Sequence, residues 1–97
     1  MWYLTDQASV KAFEEKGYPF IVIDPVTFKT MLEAETWESY IKNETAARLV
    51  SSYLGIEVKA NKKPLPKLKP GDILSIYKFE RVSNDEIEIY CYTVVIP

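Results

Sequence analysis

The stretch "YIKNETAARLVSSYLGIEV", residues 40–58, decides the fold because it contains one complete helical unit. Asn43 suits the N-cap position, where a short polar side chain accepts a hydrogen bond from a backbone amide. Apolar residues then recur at helical spacing, at Ala47, Val50, Tyr53 and Leu54. Gly55 follows at the position where helices commonly end. The stretch therefore predicts a capped helix, with residues 56–58 as a short strand after it.

The start of this helix is also a candidate binding site. The first backbone amides of a helix have no partner inside the helix, and they can bind an anion. Lys42 and Asn43 stand at this position. Two interpretations stay open from the residues alone: a well-capped structural helix, or an anion site that performs chemistry.

Before this helix, the sequence alternates short apolar runs with capped helical segments. "MWYLT" predicts a first strand, and "DQASVKAFEEKG" predicts a helix capped by Asp6 or Ser9. "YPFIVID" is an almost continuous apolar run, which predicts a strand buried on both faces. Asp24 followed by proline begins the next helix, and helical propensity continues through residues 33–40.

After the opening stretch, two long strand patterns dominate. The segment 59–69 contains Pro64 and Pro66 and therefore cannot be a central strand. "GDILSIYKFER" and "EIEIYCYTVVI" predict two strands joined by a turn at "VSND". The order β-α-β-α-α-β-β-β predicts a single α+β domain over residues 1–97. Its mixed sheet should have about five strands, with two to three helices packed on it.

Composition narrows the function classes. The chain is 47% hydrophobic and 27% charged, as in an ordinary globular protein. No run approaches the ~20 apolar residues of a membrane span, and "WYL" follows Met1 without the features of a secretory signal. We therefore expect a cytoplasmic protein with no membrane partner, and Cys91 as a reduced, core-facing residue.

The chain contains no histidine. This removes the commonest general acid–base and the commonest metal ligand. A cysteine nucleophile would lack its histidine partner, and no ligand spacing suggests a zinc site. We therefore expect neither a metal nor another cofactor.

Five lysines lie between residues 59 and 69. Such a run is either a solvated loop that protects a sheet edge from aggregation or a rim that attracts phosphate. The sequence alone favours the solvated loop.

Several local features taken together resemble one family. They are "YLTDQAS", "VIDPVTF", the polar lead-in to "TAARLVSSYLG", "VKANK", "PGDILSIY" and the arginine that ends that strand, Arg81. In this combination the chain resembles the small archaeal-virus and phage proteins that act as ring nucleases against type III CRISPR immunity.

The resemblance implies a homodimer built on a mixed sheet covered by helices. It implies a cavity across the dimer axis that binds a cyclic oligoadenylate, cyclic tetra-adenylate, in the host cytoplasm, with no long nucleic acid as partner. Such proteins cut the ring without metal, because a ribose 2′-hydroxyl attacks the neighbouring phosphate. The protein positions this attack, stabilises charge on the phosphate and protonates the leaving oxygen.

The family's functional positions fall on particular residues of this chain. The catalytic positions correspond to Asn43, where the family has its acidic histidine, to Lys42 beside it, and to Arg81, the phosphate contact. The ligand-binding positions correspond to Asp6, Ser9, Thr45 or Ala46, Lys62 and Tyr77. Ser9 and Asn43 also have a purely structural interpretation as helix caps.

Two departures from the family bear on chemistry. Asparagine cannot give up a proton, lysine is a poor acid near neutral pH, and losing general acid catalysis costs ~10²–10⁴-fold in rate. The family's lid after the arginine is also missing, because "RVSNDEIEIY" turns straight back. Three hypotheses remain: a slow metal-independent ring nuclease, a protein that binds the ring without cutting it, and a structural or regulatory viral protein that keeps only the fold.

Overall fold

A computed structural model describes residues 1–97. Its elements in chain order are β1 (Trp2–Thr5), α1 (Val10–Glu15), β2 (Phe20–Ile21), α2 (Pro25–Ala34), β3 (Trp37–Tyr40), α3 (Glu44–Leu54), β4 (Ile73–Arg81) and β5 (Ile87–Val95). The radius of gyration is 13.0 Å, as for a compact domain of this length. None of the three helices has the length and apolar character needed to cross a membrane.

The five strands form one mixed sheet in the order β2-β5-β4-β1-β3. Strand β1 runs parallel to both of its neighbours, β3 and β4. Strand β5 is antiparallel to β4 along its whole length and to the two residues of β2. The predicted class, an α+β domain with a five-strand mixed sheet and helices packed on it, is confirmed.

Helices cover both faces of this sheet. The larger core lies under α2 and α3, where the buried residues include Trp2, Leu4, Phe28, Val50 and Tyr77. The smaller core lies on the opposite face, where α1 and the segment 59–69 cover Leu74, Ile76 and Val94. Alternation along the strands explains the division, because successive side chains point to opposite faces.

The opening stretch forms the helix that its sequence predicts. The Asn43 side chain accepts a hydrogen bond from the Ala46 amide at 3.0 Å, which confirms the N-cap. Gly55 ends the helix in the left-handed region, at a φ of 72°, where a side chain would strain the backbone.

The apolar run at residues 18–24 does not form a strand buried on both faces. The predicted doubly buried strand at residues 18–24 contains only Phe20–Ile21 as strand, at the edge of the sheet. Val22 is 94% exposed. An edge strand has a neighbour on one side only, so an apolar run there is not evidence of burial.

Two further segments differ from their predicted secondary structure. Residues 37–40 were expected to be helical, yet Trp37–Tyr40 forms β3 by parallel pairing with β1. Residues 56–58 were expected to be a strand, but the Val58 amide instead donates to the Ser51 hydroxyl at 2.9 Å. The observed order is therefore β-α-β-α-β-α-β-β. Pairing with a distant strand overrode local propensity at residues 37–40. At residues 56–58 the hydrogen bond from the Val58 amide to the Ser51 side chain stands in place of strand pairing.

Candidate functional site

A crevice opens where the chain leaves the two neighbouring strands β1 and β3. These strands are parallel, so their carboxyl ends lie side by side. The chain continues from β1 into α1 on one face of the sheet, and from β3 into α3 on the other. In open sheets covered by helices, ligands bind outside the carboxyl ends of strands at such a divergence.

A wide cavity lies at this point. We call it the basic cavity; its volume is about 850 Å³ and its lining residues are Asp6, Gln7, Lys42, Asn43, Glu44, Thr45, Arg48 and Lys62. None of them is hydrophobic. The volume lies within the ~300–1,000 Å³ of small-molecule sites, but a wholly polar lining suits a charged ligand rather than an apolar one.

Charge in the basic cavity is positive on balance. Lys42, Arg48 and Lys62 contribute three positive side chains, against the carboxylates of Asp6 and Glu44. Lys42 precedes the N-cap of α3 and Arg48 lies in its second turn, whereas Lys62 comes from the segment after the helix. Two bases from the start of α3 and one from a later segment therefore line one space.

The Asp6 carboxylate is committed to the backbone at the rim of this cavity. Its oxygens accept hydrogen bonds from the amides of Lys42 at 2.7 Å and Asn43 at 3.2 Å. Asp6 therefore does not cap α1. Because Asn43 caps the Ala46 amide, the amides of the first residues of α3, Glu44 and Thr45, have no partner in the protein. An anion at this helix start would meet those two amides.

Two amide side chains hold the lysine-rich segment against the crevice. Gln7 donates to the carbonyls of Tyr40 at 2.8 Å and Lys63 at 3.1 Å. The Asn61 amide and side chain donate to the carbonyls of residues 41 and 39, at 2.8 and 3.0 Å. This anchoring explains how Lys62 becomes part of the cavity rim, although its side chain is exposed.

A second cavity adjoins the first. We call it the strand-edge cavity; its volume is about 430 Å³ and it is lined by Asp6, Asn43, Thr45, Ala46, Leu49, Tyr77, Lys78 and Phe79. Three of these residues, Asp6, Asn43 and Thr45, also line the basic cavity. The two cavities therefore share a wall. The lining of the basic cavity is fully polar, whereas half of the residues that line the strand-edge cavity are hydrophobic.

The side chain of Tyr77 is buried. It is 1% exposed, and its ring lies edge-on to Phe28 in the larger core. Its hydroxyl has no hydrogen-bond partner, and burial raises the pKa of that hydroxyl strongly. Residue 77 lines the strand-edge cavity, but its ring packs towards α2, so the predicted ligand contact of this side chain stays a prediction.

The remaining predicted residues divide into two groups. The structure brings together Asp6, Lys42, Asn43, Thr45 and Lys62 in the basic cavity and Ala46 in its neighbour. Ser9 lies outside both cavities, where its hydroxyl accepts from the Ala12 amide and caps α1.

Arg81 also lies outside both cavities. Its guanidinium donates to the Asn84 carbonyl at 3.0 Å within the hairpin turn. At ~3.3 Å per residue, it lies roughly 16 Å further along β4 than Ile76, the residue opposite the end of β1. Within one chain, Arg81 therefore does not join Lys42 and Asn43.

Sequence reasoning missed several lining residues. Arg48 follows Glu44 by one helical turn, so the polar face of the predicted helix contained the signal for it. Leu49 and Phe79 carried no such signal, because an apolar residue beside a cavity looks like an ordinary core residue. No cluster of three or more histidine, cysteine or carboxylate side chains is placed to hold a metal ion.

Comparison with known proteins adds no assignment. No protein-family model matches this chain, and no curated protein shows significant similarity to it.

Proposed function

We propose that this protein binds a cyclic oligoadenylate, with cyclic tetra-adenylate as the expected ring, and holds it without efficient cleavage. One observation carries the proposal: three basic side chains converge at the carboxyl ends of two parallel strands. The resemblance described above supplies the identity of the ligand, and the geometry supports the part of the claim that concerns phosphate.

The basic cavity offers phosphate both charge and hydrogen-bond donors. Arg48 can bind two phosphate oxygens at once through its planar guanidinium, while Lys42 and Lys62 act as mobile point charges. The free amides of Glu44 and Thr45 add the partial positive charge of a helix start. A ligand with phosphates joined in a ring suits a wide, open and wholly polar space better than a buried slot.

Binding is favoured over cutting because the cavity has no evident proton donor. The Asn43 side-chain oxygen is engaged by the Ala46 amide, and an asparagine has no proton to give. Cleavage by a ribose 2′-hydroxyl needs the leaving oxygen to be protonated, and without that help the rate falls by ~10²–10⁴-fold. A slow ring nuclease remains the second candidate, with Lys42 as the cation next to the family's acid position.

A symmetric homodimer would suit a ring ligand, because two copies of the basic cavity could face its two halves. Such closed dimers are the commonest oligomers of soluble proteins. We expect light scattering to report a dimer at high micromolar concentration; a monomer under these conditions would contradict this part of the proposal.

The test combines calorimetry with product analysis. Cyclic tetra-adenylate should bind the purified protein and be recovered intact after long incubation. Arg48→Ala should weaken binding by about 1.5–3 kcal/mol, the value of a charge-assisted hydrogen bond. The matched control is Arg81→Ala, which removes the same group from the hairpin.

Retained affinity in the Arg81 variant and lost affinity in the Arg48 variant would support the basic cavity as the site. The reverse pattern would favour the original prediction for Arg81, and it would place the ligand beyond the cavity of a single chain. Rapid conversion to a linear product would select the nuclease hypothesis. No binding at all would leave the structural or regulatory role.

A further inference from the structure

Three consecutive residues of β4 line the strand-edge cavity. Tyr77, Lys78 and Phe79 all line it, although successive side chains of a strand point to opposite faces. The Tyr77 side chain is buried in the core on the far side. Three consecutive residues meet the same cavity along the edge of β4, and a strand edge presents backbone amides and carbonyls.

The register identifies which backbone groups face this space. The Ile73 amide donates to the Met1 carbonyl at 3.0 Å, so the odd-numbered residues of β4 turn their backbone polar groups towards β1. The last pair between these strands joins Thr5 to Ile76. Beyond that pair, the odd-numbered residues of β4 have no strand beside them.

Two backbone groups are left free as a result. The Gln7 amide would be the next donor to the Tyr77 carbonyl, but it donates instead to the Thr5 hydroxyl at 3.0 Å. The Phe79 amide has no partner from β1 or from any loop. A carbonyl at residue 77 and an amide at residue 79 therefore lie next to each other on an open edge, facing the cavity.

This acceptor–donor pair complements one edge of adenine. Adenine presents its N6 amine, a donor, beside N1, an acceptor, on its Watson–Crick edge. Proteins that bind unstacked bases read this edge through hydrogen bonds and cover the ring with apolar side chains. Ala46 and Leu49 of α3 line the same cavity and supply apolar surface, and Leu49 is only half-buried.

We propose that the strand-edge cavity is an adenine subsite, in which the Tyr77 carbonyl accepts from N6 and the Phe79 amide donates to N1. This inference rests on the proposed function, since the wall shared at Asn43 and Thr45 would lie between the base and its phosphate in the basic cavity. It adds a base specificity that positive charge alone cannot give.

The first test uses hydrogen exchange of the unmodified protein. The Phe79 amide should exchange rapidly in the free protein, because it has no hydrogen-bond partner. Saturation with cyclic tetra-adenylate should slow its exchange about tenfold or more, in line with the discrimination given by a good bidentate base contact. Unchanged exchange at Phe79 with the ligand bound would overturn the subsite while leaving the phosphate site intact.

The second test separates base from phosphate by calorimetry. Cyclic tetra-uridylate has the same ring and charge but a smaller base with a different hydrogen-bonding edge. We expect it to bind about tenfold more weakly than cyclic tetra-adenylate. Equal affinity would overturn the adenine subsite alone, whereas failure of both rings to bind would overturn the proposed function and this inference together.

A matched pair of variants tests whether the preference for the adenylate ring over the uridylate ring arises in the strand-edge cavity. Leu49→Ala should reduce the preference for the adenylate ring, because it removes apolar cover from the base. Leu65→Ala removes the same atoms from a half-buried leucine on the opposite face of the sheet, and it should leave the preference unchanged. Equal effects of both variants would contradict the assignment, and thermal melts would identify any variant that is unfolded.

Discussion

Replacing Asp6 by asparagine should weaken the fold and strengthen ligand binding at the same time. The carboxylate accepts two backbone hydrogen bonds, from residues 42 and 43, and an amide can replace only one of them. Because the site is open to solvent, we take the low end for a charged acceptor, about 1.5 kcal/mol, or roughly 6–12 °C in Tm. The same change removes a negative charge from the basic cavity. With a phosphate about 7 Å away and an effective dielectric constant of about 40, Coulomb's law gives about 1 kcal/mol, or about fivefold in affinity.

Thermal unfolding and calorimetry with cyclic tetra-adenylate measure the two effects separately. Glu44→Gln is the matched control, because it removes a charge from the same cavity but breaks no hydrogen bond. It should give a similar gain in affinity and lose only about 0.3–1 kcal/mol of stability, the value of a carboxylate at a helix start. An Asp6→Asn variant as stable as the parent protein would show that the two Asp6 hydrogen bonds do not stabilise the fold. The assignment of the cavity would be refuted if neither variant changed the affinity.

Three further predictions concern the cap, the helix end and acid stability. Asn43→Ala should lower the free energy of unfolding, measured with denaturant, by about 1 kcal/mol because the helix loses its cap. Asn43→His should raise the rate of cyclic tetra-adenylate cleavage measurably in product analysis, because it supplies a proton donor. Gly55→Ala should lower the Tm by placing a side chain at a φ of 72°, at a cost of about 1–2 kcal/mol. The hydrogen bond from the Lys69 amide lowers the pKa of the Asp72 carboxyl in the folded protein. The ionised carboxylate therefore stabilises the fold at pH values above its unfolded pKa of about 4. This stabilisation is lost as the pH falls below that value. Asp72→Asn should therefore destabilise the protein at pH 7 and reduce the loss of stability on acidification.

The sequence predicted best the features that depend on neighbouring residues. The N-cap at Asn43, the stop at Gly55 and the hairpin of β4 and β5 all rest on local chemistry, and the structure confirms them. One segment that it assigned wrongly, residues 37–40, is settled by distant pairing. Residues 37–40 become a strand because β1 offers them an edge, and no pattern within those four residues records that edge.

In the candidate site, too, the sequence predicted only those groupings that depend on neighbouring residues. Lys42, Asn43 and Thr45 lie together because they are sequence neighbours at a helix start. Asp6 joins them only because two parallel strands end side by side, and Lys62 only because Asn61 anchors its segment to β3. The strand edge at Tyr77 and Phe79 was beyond prediction, since it depends on where a neighbouring strand stops.

Chemical-shift mapping by NMR is the most direct test of the central claim that the crevice beside β1 and β3 binds the ligand. Titration of the labelled protein with cyclic tetra-adenylate should shift the backbone amides of Glu44 and Thr45, with their neighbours Arg48 and Lys62 in the basic cavity, and should leave the outer surface of α1 unchanged. Shifts confined to the hairpin around Arg81, or no shifts at saturating ligand, would contradict the account.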